Sequence, residues 1–70
     1  DMRDYSKSVR ELEEAININP EYIPARINLG ITYYTMGHIE KAKAEWMKVL
    51  HKNPNDKKAQ MYMNLTTEKK

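Results

Sequence analysis

Apolar residues recur along this chain at helical spacing. Tyr5, Val9, Leu12 and Ile16 follow one another at intervals of four, three and four, a one-sided stripe. Lys7 with Glu11 and Arg10 with Glu14 stand one turn apart on the polar side, pairs worth roughly a few tenths of a kcal/mol each. Pro20 ends this segment. A second begins near Pro24, which suits a first helical turn because its missing N–H has no partner to lose there. It runs to Gly37, a residue fit for the left-handed conformation that closes helices. The third carries Ile39, Ala42, Trp46, Val49 and Leu50 on one face, with Glu40, Lys41, Lys43, Glu45 and Lys48 mostly off it, and stops before Pro54. The fourth opens at Asp56, a good N-cap, and continues through Ala59, Met61, Tyr62, Met63 and Leu65. Strand signals are absent, so the chain reads as all-α, with about four helices. Joints of about two to five residues force neighbouring helices to run antiparallel.

One residue breaks the second segment. Gly30 lies among Ile27, Leu29, Ile31, Tyr33 and Tyr34, where a glycine costs about 1 kcal/mol relative to alanine. Either another backbone passes close to Gly30 and offsets that cost, or the segment is not a helix.

The joints ININPEY at 16–22 and LHKNPND at 50–56 are near copies, and their prolines stand 34 residues apart. Between them come Leu29-Gly30, Tyr33, Ala42 with Trp46 four residues on, and Pro54. This resembles the tetratricopeptide repeat (TPR), a 34-residue helix-turn-helix whose pattern runs Leu-Gly, Tyr, Ala-x-x-x-Phe and Pro. Asn28 and Gly37 resemble the family as well. The resemblance covers one full repeat at 23–56. It implies antiparallel helix-turn-helix units stacked as an α-solenoid, in which Gly30 and Ala42 are the small residues where the hairpin's helices cross. Tyr33 and Trp46 would be the large fillers on either side. One position departs, because the family's first aromatic is Arg26 here. Its aliphatic stem is expected to cover Trp46, with the guanidinium over the ring.

The flanks resemble partial repeats. Residues 1–20 look like the second helix of a preceding repeat, with Ser8 and Ala15 at its small positions and Leu12 at the aromatic one. The sequence starts without an initiator methionine and is expected to be a fragment of a longer array, leaving Leu12 and its neighbours partly bare. At 57–70, Gln60, Asn64 and Thr67 replace the tryptophan, glycine and tyrosine of the pattern. A polar outer face suits a C-terminal capping helix.

Composition narrows the chemistry. Seventy residues, 40% hydrophobic and 31% charged, allow one small helical domain with a marginal core. There is no cysteine to form a disulfide or a thiolate metal site. The net charge of +2 comes from 12 basic and 10 acidic residues that are mixed along the chain. Lys57-Lys58 and Lys69-Lys70 make no basic stripe, which argues against nucleic acid as a partner. No apolar run is long enough for membrane insertion. His38 at a joint and His51 in a last turn are separate surface residues, and Glu11, Glu13 and Glu14 read as a solvated face. Nothing converges as catalytic or metal-binding groups would, so no enzyme, cofactor or small-molecule substrate is expected. Asn64-Leu65-Thr66 fits the glycosylation sequon, a weak signal with no secretion signal beside it.

The resemblance therefore implies a non-catalytic protein–protein interaction module or scaffold. In the family, first helices line a concave groove that holds a peptide or helix of a protein partner. The residues expected to face it are Ile27, Asn28, Ile31, Tyr34 and Thr35 from the second segment, and Lys58, Met61, Tyr62 and Leu65 from the fourth. The aliphatic ones could instead pack between adjacent first helices. Asn28 and Lys58 match two places at which some family members grip a peptide's terminal carboxylate, but Tyr62 stands where their arginine would be. The alternative is self-assembly into a homo-oligomer through the bare face of the first helix, with Tyr5, Ser8, Leu12 and Ala15 in contact.

Overall fold

Proline and glycine set the helix ends much as the sequence places them. A computed structural model describes residues 2–67, with side chains from position 4 onward. It contains α1 (Met2–Ile18), α2 (Ile23–Thr35), α3 (Ile39–Lys52) and α4 (Lys57–Thr67). Lys69 and Lys70 lie outside the described residues. Pro24 sits in the first turn of α2. Gly37 has φ 90°, and its N–H donates to Tyr34 O at 3.0 Å while His38 N–H donates to Tyr33 O at 2.9 Å. These two bonds satisfy two of the carbonyls that the end of α2 leaves free. At α4, Asp56 caps as expected, its Oδ1 accepting from Ala59 N–H at 3.0 Å.

The repeat is written into the hydrogen bonds. Asn19 N–H donates to Ala15 O and Tyr22 N–H to Asn19 O; 34 residues later Asn53 donates to Val49 O and Asp56 to Asn53 O. Even a side-chain bond recurs. Arg26 Nη2 donates to Pro20 O at 3.4 Å, and Gln60 Nε2 donates to Pro54 O at 2.7 Å. The two joints are one structure made twice.

Each helix packs on its neighbour in sequence, α1 on α2, α2 on α3 and α3 on α4, and α4 also meets α2. The result is a slab of about 29 × 29 × 14 Å with its core around α3. Ala42, Trp46, Val49 and Ala59 have no exposed surface. Ile27, Val49 and Ala59 form the centre, flanked by Ile23, Ile31, Leu50 and Tyr62. Gly30 meets the indole of Trp46. A Cβ added at Gly30 would lie 2.6 Å from Cε2 and 2.8 Å from Cδ1 of that ring, closer than real carbon atoms approach. The indole N–H donates to Ile27 O at 3.2 Å, so the one polar atom of the buried ring is satisfied.

Three sequence expectations need correction. Arg26 does not stack on Trp46: its Nη1 donates to Glu45 Oε1 at 3.2 Å, with both side chains largely shielded from water. A full opposite charge attracts the guanidinium more strongly than a ring quadrupole does. Tyr33 is a rim residue rather than a core filler, partly exposed, with its hydroxyl donating to Glu13 Oε2 at 3.3 Å. The Lys7–Glu11 and Arg10–Glu14 pairs are not among the ion pairs of the described residues. Those join Arg26 to Glu45, Lys48 to Glu45, Lys43 to Glu40 and Lys52 to Glu21. On the exposed side of α1 a weak pair does not hold two long side chains in one geometry.

Candidate functional site

The side shared by α2 and α4 carries the expected groove residues, and the structure divides them. Ile27 is buried in the core and offers a partner no more than a sliver of cleft floor. Ile31 is partly buried against the same cluster. Tyr62 is also half-buried, its ring stacked on Trp46 with centroids 5.2 Å apart and planes 19° from parallel. Thr35 is exposed, but its hydroxyl donates to Ile31 O in its own helix. Asn28, Tyr34, Lys58, Met61 and Leu65 remain exposed. Tyr34 leans on Trp46 at 6.0 Å and 46°, so the exposed phenol is anchored from below by the core indole.

Asn28 and Lys58 come together at one end. They line a cleft of about 390 Å³ with Ile23, Pro24, Ile27 and Asp56. Its floor is aliphatic and its rim holds an amide, an ammonium and a carboxylate. Among the described residues the Asn28 amide and the Lys58 ammonium make no hydrogen bond or ion pair, so both are available. Sequence reasoning missed Asp56 here, having assigned it only the helix cap. A signal existed, since Asp56 immediately precedes the helix that carries Lys58. With Asp56 beside Lys58 the cleft bears one charge of each sign, which fits a peptide main chain better than a bare carboxylate.

A second cleft of about 360 Å³ opens at the turn between α2 and α3, against the N-terminal half of α1. Arg10, Glu13, Tyr33, His38 and Lys41 line it. The Lys41 ammonium lies 5.5 Å from the centre of the Tyr33 ring, and the His38 ring meets that ring edge-on at 6.3 Å. Burial raises the Tyr33 phenol above its ordinary 10.0, and the adjacent Glu13 carboxylate adds to the rise by charge and by accepting its proton's hydrogen bond. The phenol is thereby a weaker acid, the opposite of what general-base chemistry asks. His38 is the N-cap residue of α3 without a capping side-chain bond, and His51 is exposed in its last turn.

Among the described residues no three His, Cys, Asp or Glu side chains gather as metal ligands would. No described helix is long and apolar enough to cross a membrane. The residues of α1 singled out for self-association, Tyr5, Ser8, Leu12 and Ala15, are all half-buried, while the exposed positions of α1 include Lys7, Arg10, Glu11 and Glu14.

The family model of the tetratricopeptide repeat matches residues 1–64. The chain belongs to the tetratricopeptide repeat family. TPR units generally mediate protein–protein interaction and are non-catalytic modules, so contact with protein partners is what this fold is for. The family match runs through α1, α2, α3 and most of α4. Neither a curated protein nor a solved structure matches the chain.

Proposed function

We propose that this TPR chain is a non-catalytic scaffold that holds a peptide or helix of a partner protein against the shared side of α2 and α4. The observation that carries the reading is the cleft in which exposed Asn28 and Lys58 stand over Ile23 and Ile27, with Tyr34, Met61 and Leu65 also exposed on the same two helices. Apolar anchors supply affinity there. The unpaired amide and ammonium at one end, with Asp56 beside them, fix the direction of the bound main chain through its own N–H and C=O groups. Tyr34 is suited to be the central contact. Its ring is already held by Trp46, so little side-chain freedom is lost when a partner covers it.

The test compares the proteins retained by the wild type with those retained by an Asn28→Ala/Tyr34→Ala/Lys58→Ala variant. All three side chains are exposed, so the fold is kept, which a circular dichroism melt verifies. Loss of specific partners from the variant supports the reading. Identical partner lists would remove this side of the molecule from consideration.

A further inference from the structure

Helices α1 and α3 both pack on α2 but, among the described residues, not on each other, so a furrow runs between them with α2 as its floor. Three clefts mark its course. The first is the one of about 360 Å³ around Tyr33 and Lys41. A second of about 260 Å³ shares Glu13 with it, and a third of about 210 Å³ shares Arg26 and Lys48 with the second. No described residue of α4 lines any of the three, so the furrow is a different surface from the cleft of Asn28 and Lys58. The sequence mixes its charges, but the fold gathers one sign here. Arg10, Arg26, Lys41, Lys48 and Lys52 line the furrow against Glu13 and Glu45, an excess of three bases on a chain whose whole net charge is +2. We propose that this furrow is a second binding surface, which takes an acidic amphipathic helix of a protein partner.

The bases divide by what already holds them. Arg26 donates to Glu45 and is largely shielded, and Lys52 is paired with Glu21. Lys48 is exposed and lies 3.9 Å from the Glu45 carboxylate that Arg26 already holds. Among the described residues Arg10 and Lys41 make no ion pair, and both are exposed. The Lys41 ammonium is held over the Tyr33 ring instead, which keeps it on the furrow wall with N–H donors left for a carboxylate. The spacing selects the guest. Lys41 and Lys48 stand seven residues apart on α3, two turns or about 10 Å along its axis. On the α1 wall half-buried Val9 and Ile16 stand seven residues apart as well. A guest helix lying along the furrow meets both walls in register when its acids and its apolar residues each repeat every two turns. The acids then face α3 and the apolar side chains face α1. A nucleic-acid strand fits less well, because its closely spaced phosphates would also fall on Glu13 and Glu45.

The probe is a labelled synthetic helix of about 20 residues, with glutamates and leucines each repeating every seven positions, read by fluorescence anisotropy. The wild type is expected to bind it, with an affinity that falls as salt is added. Lys41→Glu/Lys48→Glu should weaken binding by about tenfold or more, because two attractions become two repulsions. Both lysines are exposed, so the fold is kept, which a circular dichroism melt verifies. Where the reversal lowers the melt, Lys41→Gln/Lys48→Gln should show a smaller loss in the same direction. The Asn28→Ala/Tyr34→Ala/Lys58→Ala variant should bind the probe as the wild type does, which separates this surface from the proposed groove. A wild type that does not bind the probe overturns the proposal, and so does a Lys41→Glu/Lys48→Glu chain that binds it equally well. Loss of binding in the groove variant overturns it too, by assigning the probe to the groove. So does a single-stranded oligonucleotide of equal charge that binds more tightly than the helix, by assigning the furrow to nucleic acid.

Discussion

Helices α1 and α3 occupy the same place in the repeat, yet one is half bare and the other forms the centre of the molecule. The residue types explain part of this: Leu12 stands where α3 has Trp46, and Ala15 where it has Val49. Neighbours explain the rest. α3 lies between α2 and α4 and is covered on both flanks, while α1 packs on α2 alone. A TPR unit buries its apolar face only through the helices on either side, so position in the stack decides what a given side chain contributes.

The sharpest way to break that comparison is to delete its central side chains. Trp46→Ala removes the indole that fills the Gly30 crossing, supports Tyr34 and Tyr62, and bonds Ile27 O. Its expected cost of about 3–5 kcal/mol is comparable to the whole stability of a domain this size, so the cooperative melt should disappear. Leu12→Ala, at the same repeat position in α1, should cost below about 2 kcal/mol and leave a measurable melt. Next in size is the glycine. Gly30→Ala forces a Cβ into the indole and should destabilise by roughly 1–2 kcal/mol despite the better helix propensity. The matched Asn64→Ala in α4 touches no such ring and should stay within about 0.5 kcal/mol of the wild type in urea titration.

Smaller effects sharpen the comparison at the helix ends. The two joints share their backbone bonds, but only the second has a side-chain cap, from Asp56 to Ala59 N–H. Asp56→Ala is therefore expected to cost about 1 kcal/mol and to lower the melting temperature by about 4–8 °C. Tyr22→Ala at the first joint removes no cap bond and should move it less. Least of all is a pH effect. The folded state holds the Tyr33 proton more tightly than the unfolded chain does, so the stabilisation from this phenol is fully present below pH 10.0 and is lost as pH rises above that value through the higher folded-state pKa. Between the two states of Tyr33→Phe no such difference exists, and its alkaline melts should fall off less steeply than those of the wild type.

Much of this architecture was legible because it is periodic. The prolines 34 residues apart, the Gly30 crossing and the Gly37 helix end each follow from a local residue choice that admits one backbone solution. The Arg26 partner was not legible in the same way. It depends on Glu45, 19 residues away, which reaches the guanidinium only once the hairpin has closed. The candidate groove was readable in part. Helical register picked out Asn28, Tyr34 and Lys58, all exposed in the structure, but it could not show that Ile27 turns into the core or that Tyr62 stacks on Trp46. Those outcomes turn on where α4 crosses α3, a tertiary distance that no spacing rule supplies.

The central proposal is that α2 and α3 form a complete TPR hairpin on which α1 and α4 pack from either side. Amide hydrogen exchange on the dilute, monomeric chain tests this most directly. The account predicts that amides of α2 and α3 exchange only through global unfolding, while those of α1 and the last turns of α4 exchange faster through local opening. Protection of α1 equal to that of α3 would contradict it.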